Sequence, residues 1–337
     1  MGAGSYLIRR LALLVPTLFG LSLLTFVISH VVPADPAKLA AGPRATNDMV
    51  ETIRHNFGLD RPLPEQYVTY LGDLVRGNFG DSILTRRSVG EDLRDRFPAT
   101  FELVLGAMLL AVAVGVPLGI IAAVNQNRWP DQLSRLFAIG SVSIPQFWFG
   151  LVLQLFFASR LGWLPLSRRL PTLVQPPDRI TGLLSVDSLL AGQFDTFWLA
   201  LKHLALPVFV LSLGSMAIIT RTLRGDLLEV FNQDFIRTAR AKGLSERGVL
   251  LRHTLRNAFI PSLTMIGLSF GWTLGGTVLV EVVFDWPGIG KYAVDAAGHL
   301  DFNPIMGVTL LVGVVFILIN LVVDLLYGLL DPRISYR

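Results

Sequence analysis

Apolar residues run along this chain in six blocks separated by stretches where polar and charged residues return. A helix needs about 20 mainly apolar residues to cross a hydrocarbon layer roughly 30 Å thick. Leu11 to Val32, Leu103 to Val124, Leu136 to Ser159, Trp198 to Thr220, Ala258 to Val280 and Ile305 to Leu329 meet that length. In the fourth block Lys202 and His203 interrupt the start and only Leu204 to Thr220 is free of charge, but a long lysine stem can carry its ammonium to an interface. Pro16, Pro117, Pro145 and Pro207 lie in or beside these blocks. Inside a membrane bundle, neighbouring helices can satisfy the carbonyls a proline frees. The pattern therefore predicts an all-α integral membrane protein with six transmembrane helices, at about 11–32, 103–124, 136–159, 198–220, 258–280 and 305–329, forming a single transmembrane domain over 1–337.

Composition agrees. Hydrophobic residues make up 52% of the 337-residue chain and charged residues 16%, against about 25% charged in a soluble protein. The formal charge of +4 is modest and sits beside the apolar blocks, which excludes a nucleic-acid binder. The absence of cysteine excludes disulfides, thiolate metal sites and a cysteine nucleophile. Arg9 and Arg10 precede the first block as in a signal peptide, yet that block far exceeds a signal core of roughly 7 to 15 residues. It reads as a retained helix, with cleavage near Pro33-Ala34 as the alternative.

Charge then orients the bundle. Arg9 and Arg10, Arg128 and Arg135, Arg333 and Arg337 all fall on one side if the blocks alternate. The connection between blocks four and five joins them, with Arg221, Arg224, Arg237, Arg240, Lys242, Arg247, Arg252 and Arg256 against Asp226, Glu229, Asp234 and Glu246. The excess of positive residues in short loops puts both termini and that connection in the cytoplasm. Residues 33–100 then form an extracytoplasmic segment, with short helices near Asn47 to Phe57 and Pro64 to Val75 bounded by Gly58 and Gly77. Together with the other outer connections they make a small cap.

The connection at 224–257 is too long for a turn. Leu228, Phe231, Phe235 and Ala239 recur three and four apart as an apolar stripe. Gly243 is a helix stop and Ser245 a cap for a second short helix. Two short helices meeting at a glycine present a compact basic knob, suited to a groove in a partner or to anionic lipid; physical chemistry alone leaves these two even.

The run Asp234-Phe235-Ile236-Arg237-Thr238-Ala239-Arg240-Ala241-Lys242-Gly243-Leu244-Ser245, with His253-Thr254-Leu255-Arg256-Asn257-Ala258 after it, resembles the coupling loop of ABC importer permeases, which inserts into an ATPase subunit. Arg237 and Thr238 stand where that loop generally has Glu and Ala, and Arg256 where proline is usual; Ala239 and Gly243 are kept. Those departures are the form taken by the dipeptide, oligopeptide and nickel branch. The resemblance runs end to end: Val15-Pro16-Thr17, Val32-Pro33-Ala34-Asp35-Pro36, Leu59-Asp60-Arg61-Pro62, Pro98-Ala99-Thr100, Pro145-Gln146-Phe147-Trp148, and the closing Asn320, Asp324, Tyr327 and Asp331-Pro332-Arg333. The layout is similar to the first of that branch's two permease subunits.

The resemblance implies a type I ABC importer permease fold in a bacterial or archaeal cell membrane. It implies a second homologous permease, two ATPase subunits and an extracytoplasmic substrate-binding protein as partners, besides lipid and with no nucleic acid. Residues Asp234, Arg237, Thr238, Ala239, Arg240, Ala241, Lys242, Gly243 and Leu244 would couple to the ATPase. The chain itself would hold no cofactor, with ATP and Mg in the ATPases, and would be no enzyme. Peptides are the favoured substrate, with a nickel complex or another small solute as alternative.

Other constellations are weaker. Gly288-Ile289-Gly290-Lys291 lacks the first glycine and the hydroxyl of a phosphate-binding loop, and in the family resembles an outer turn. His30, His55, His203, His253 and His299 show no metal-ligand spacing, and no serine sits in a G-x-S-x-G setting. Asp324 lies near the inner end of the sixth block, where pairing with a cytoplasmic arginine is favoured over substrate contact. Glu102 and Glu281 flank outer helix ends, where hydrated interfacial placement accounts for both. Gly267, Ser269, Gly271, Gly275 and Gly276 of the fifth block permit close packing or mark a pathway-lining face. An ion-driven transporter would want coupling carboxylates at mid-membrane and a membrane enzyme clustered catalytic groups, and the blocks offer neither.

Overall fold

The structure, a computed structural model, describes residues 3–31, 36–41, 45–56 and 58–330. Val32-Pro33-Ala34-Asp35, Asp331-Pro332-Arg333 and Arg337 lie outside the described residues, as do the side chains of Arg9, Arg10, Asp324 and Tyr327. The chain runs α1 (Ala3–Val31), α2 (Pro36–Ala41), α3 (Asn47–Asn56), α4 (Leu63–Val75), α5 (Val89–Val124), α6 (Trp129–Ser143), α7 (Gln146–Leu153), α8 (Leu184–Leu190), α9 (Phe194–Phe231), α10 (Asp234–Ala241), α11 (Glu246–Gly248), α12 (Leu255–Val283), α13 (Ile289–Gly298) and α14 (Phe302–Leu330). Among the described residues there is no strand, only a single bridge between Asp81 and Ser88.

Among the described residues five segments are long and apolar enough to cross a membrane: Ala12–Ser29, Val89–Val124, Phe194–Phe231, Pro261–Val283 and Phe302–Val323. The sixth candidate is not the single span expected from Leu136 to Ser159. Trp129–Ser143 and Gln146–Arg160 qualify only as a pair, bent by 100°. Pro145 supplies no N–H and disfavours the helical region for the residue before it. Accordingly Ile144 is extended at φ −91°, ψ 125°, and α7 starts afresh behind the proline. Beyond Leu153 it continues as a π-helical turn, Gln154–Arg160. Pro16, Pro207 and Pro261, by contrast, sit inside continuous helices.

The chain forms two compact units, one built from Thr100–Trp286 and Leu318–Arg337, the other from Gly2–Ala99 and Pro287–Ile317. In the second, Val89, Leu93, Ile289, Tyr292 and Val308 form an apolar core. Gly288 to Lys291 is thus no mere turn: Gly288 caps α13, which buries Ile289, Tyr292 and Ala296 on one face. Asp92, 1% exposed, accepts from Thr85 Oγ1 at 2.5 Å and from the Tyr292 hydroxyl at 2.9 Å. Burial and the adjoining Asp92 charge both push the Tyr292 hydroxyl's pKa well above its ordinary value. The expected helices near 47–57 and 64–75 are α3 and α4, and Gly58 and Gly77 adopt φ of +65° and +78° where they end.

In the first unit α9 packs along α12, α6 and α8. A Cβ at Gly115 would sit 3.1 Å from the Met216 carbonyl oxygen, and one at Gly119 3.0 Å from that of Thr220, so bare backbone is what lets α5 lie against α9. The α9–α12 seam is tied by Ser215 Oγ and Thr273 Oγ1 at 2.7 Å and by Ser262 Oγ donating to Asp226 Oδ2 at 2.7 Å. Of the glycines on α12, Gly267 is a packing position, where a side chain would run into Val323, whereas Gly275 faces open space.

The segment between α7 and α9 is held by carboxylates turned inward, which corrects the expectation for two glutamates. Glu102 is buried and accepts from the Ser185 amide at 2.7 Å, the Ser185 hydroxyl and the Arg169 guanidinium. Glu281 is fully buried, with Thr100 Oγ1 donating to it at 2.6 Å. Neither is a hydrated interfacial group: each is desolvated and compensated by donors. Asp187 follows the same rule. Burial pushes its carboxyl up, but the Thr181 hydroxyl and the amides of Thr181, Gly182 and Ile180 more than offset that and hold it below the usual carboxylate range.

Candidate functional site

The helix of the fourth apolar block does not stop at Thr220. It continues three turns to Phe231, and the chain then turns at Asn232 and Gln233 before starting α10. An isolated helix of eight residues is unstable in water. α10 is held by Ile236 (0% exposed) and Ala239 (6%), which enter a core with Ala123 of α5, Leu223, Leu227 and Val230 of α9, Val249, and Ala258 of α12. Burying one isoleucine is worth about 1.5–3 kcal/mol. The apolar stripe is therefore not the one read from spacing: Phe235 is 39% exposed and Ile236 takes the buried place. The break at Asn232 and Gln233 resets the helical phase, so a period counted from Leu228 loses register beyond it.

Around this root the remaining expected residues face outward. Asp234 sits in the first turn of α10, where a negative charge suits the exposed amides. It lies 3.5 Å from Arg237 Nη1, and Thr238 Oγ1 donates to its carbonyl at 3.0 Å. Arg237, Thr238, Arg240, Ala241, Lys242, Gly243 and Leu244 are all exposed. Gly243 takes φ +76°, a left-handed conformation that ends the helix; its amide donates to Arg240 O at 2.9 Å and that of Leu244 to Ala239 O at 3.4 Å. Arg240 then forks onto Glu246 through Nε at 3.0 Å and Nη2 at 3.2 Å, closing the turn.

Ser245 is a cap, as its position suggests, its Oγ accepting from the Gly248 amide at 3.3 Å. What it caps differs from expectation. There is no free second helix: α11 lasts three residues, passes into a π-helical turn (Val249–Thr254) and runs on into α12. The knob is thus one short helix and one glycine turn bracketed by α9 and α12, with Phe235, Leu244 and Leu251 as exposed apolar tips among Arg237, Lys242, Arg247 and Arg252.

Sequence reasoning missed the group that locks the base of α6 to α9. Asp131 is fully buried between two arginines. Arg135 reaches it from one turn along α6 through Nη2 at 2.6 Å, and Arg224 of α9 forks onto it through Nε at 2.6 Å and Nη2 at 2.9 Å. The Asn127 amide completes the shell at 2.9 Å. The i,i+4 spacing of Asp131 and Arg135 was visible. The partner 93 positions away had no local signal.

These groups bind and position. Among the described residues no three His, Asp or Glu side chains gather as a metal site.

Two family models match the chain: binding-protein-dependent transport system inner membrane component over residues 115–336, and the N-terminal membrane component of the same systems over 4–104. Among curated proteins the chain is 47% identical to a probable D,D-dipeptide transport system permease protein, DdpB, of Escherichia coli strain K12, covering 96% of this chain and 95% of that protein. It is 43% identical to the di/tripeptide transport system permease protein DppB of Pseudomonas aeruginosa, over 99% of both. It is 42% identical to the glutathione transport system permease protein GsiC of Escherichia coli strain K12, again over 99% of both. Among solved structures, a chain of the MetNI methionine ABC transporter in an inward-facing conformation matches with a TM-score of 0.50 at 14% identity, covering 69% of this chain and 93% of that one.

Proposed function

The chain belongs to the family of binding-protein-dependent transport system inner membrane components, and from that premise we propose that it is the permease through which short peptides pass, driven by an ATPase gripping residues 234–244. The observation that carries the coupling assignment is the α10 knob: basic and exposed at its tip, yet rooted through Ile236 and Ala239 in one core with α5, α9 and α12. A push on the tip cannot be absorbed locally. It passes to α9 and α12 together, and binding of ATP to a closed ATPase pair supplies the differential affinity that shifts such a two-state element.

The peptide assignment is supported by the names of relatives that match over nearly the whole chain. Orientation follows from charge. Arg224, Arg237, Arg240, Lys242, Arg247 and Arg252 crowd the knob and its base, which puts that end in the cytoplasm and the 33–100 and 160–197 segments outside. A second, homologous permease completes the pathway, a binding protein delivers substrate to the outer segments, and ATP with its Mg is held by the ATPases. A nickel complex or another small solute would use the same architecture.

The test is a mild-detergent pull-down of the tagged chain from its host, with mass spectrometry of everything retained, followed by peptide uptake in vesicles. Recovery of ATPase subunits, a second permease and ATP-dependent uptake is expected. Recovery of the chain alone, with uptake driven by an ion gradient, would overturn the reading and leave the knob to lipid contact.

A further inference from the structure

The 100° break at Pro145 lies within the sixth apolar candidate span, between α6 and α7. Interrupted helices at membrane depth persist where they are covered by protein or line a polar pathway. The residue on the break is Gln146. Its carboxamide lies over the backbone of two other helices: a Cβ at Gly214 of α9 would stand 3.2 Å from Nε2, and one at Gly276 of α12 would stand 3.9 Å from Oε1. The amide therefore spans the α9–α12 seam at two positions without side chains, and all three residues are half-buried. Among the described residues no hydrogen bond involves this side chain. Its amide is not sealed off, so it is within reach of a partner from outside the chain.

Such a group calls for a partner that arrives and leaves. We propose that the Gln146 carboxamide is a substrate-contacting group that hydrogen-bonds a peptide unit of the solute in transit. A carboxamide carries donors and an acceptor, and so does a peptide unit, so the two pair reciprocally whatever the substrate's side chains. Being neutral, it holds the solute by a modest net free energy and lets it go. The buried carboxylates Asp131 and Glu102 of this unit are already matched, by Arg135 and Arg224 and by Arg169. The proposal rests on the peptide reading above.

The experiment uses the complete transporter in proteoliposomes, with its ATPases and saturating loaded binding protein. The probes are alanyl-alanine and its ester analogue, in which oxygen replaces the peptide N–H. In the wild type the amide should enter about three- to tenfold faster than the ester, as one net hydrogen bond would give. In Gln146→Met, uptake of the amide per assembled complex should fall to the rate of the ester, bringing the ratio near one. Gln146→Asn withdraws the amide by one methylene; it should also lower the ratio, and it serves if the methionine variant does not assemble. An unchanged ratio in the variants, or no discrimination in the wild type, overturns the proposal even if uptake itself falls. If the wild type imports neither probe nor any other short peptide, the peptide reading fails, and this proposal with it.

Discussion

The knob at residues 234–248 and the segment between α7 and α9 are both rich in charge, and they use it in opposite ways. The knob buries two apolar side chains and leaves its cations outside: Arg237, Arg240, Lys242 and Arg247 are exposed. The 160–193 segment turns charge inward, onto Glu102 at 5% exposure and Asp187 at 3%, each saturated with donors. The surface proposed for docking keeps its cations at the outside and its apolar root fixed. A segment that must hold its own shape uses buried carboxylates, because withdrawing any one donor is costly. Asp131 shows the second strategy at the base of the first: inward charge holds the helices from which the outward charge is presented.

The comparison breaks most severely at Asp131. Asp131→Ala leaves Arg224 beside a buried vacancy and should cost about 3–5 kcal/mol of folding free energy, as when one partner of a buried pair is removed. A thermal melt in detergent within a degree or two of wild type would mean that the clamp holds nothing. Next is Glu102→Ala, which strips the Ser185 and Arg169 donors of their acceptor and should cost about 1–3 kcal/mol. Limited proteolysis should then cut within 160–193, and an uncut segment would show that it is pinned elsewhere.

Gly243→Asp should cost less stability, about 1 kcal/mol from the left-handed backbone, since aspartate is among the residues that enter that region and a side chain there meets open space. Its effect should appear instead as ATP hydrolysis without uptake. Normal uptake at normal expression would remove the coupling assignment. Smaller still is the pH response of Asp187. Because its folded pKa lies below the ordinary 3.8, its contribution is complete above that value and is lost only as pH falls through the folded pKa. Proteolytic protection of 160–193 should therefore persist from pH 7 to about 5 and weaken only in stronger acid; loss between pH 7 and 5 would contradict it. Least of all, Arg237→Gln should leave the melt unchanged and only make ATPase association less sensitive to salt.

Apolar block length makes the helices readable, and the charge excess and Gly243 make the knob so. What escaped follows from physics that block length does not encode. Ile144-Pro145 reads as tolerable inside a membrane helix, and Pro207 is tolerated, yet Pro145 breaks its helix. The break at Asn232 and Gln233 shifts the buried position from Phe235 to Ile236, since periodicity assumes a continuous helix. Glu102 and Glu281 look like surface groups because their partners, Arg169, Ser185 and Thr100, come from chain segments that hydropathy leaves blank. α13 was lost for the same reason: ten residues with one buried face fall below the length of a span.

Asp131 and Arg224 also bear on how the chain is made. The carboxylate leaves the ribosome 93 residues ahead of Arg224, so for that interval the strongest fork holding it does not exist. Arg135 follows after only four residues and can neutralise Asp131 as soon as the first turns of α6 form. One arginine is at hand from the start and the other comes late, so α6 acquires its lock to α9 only when α9 has been made.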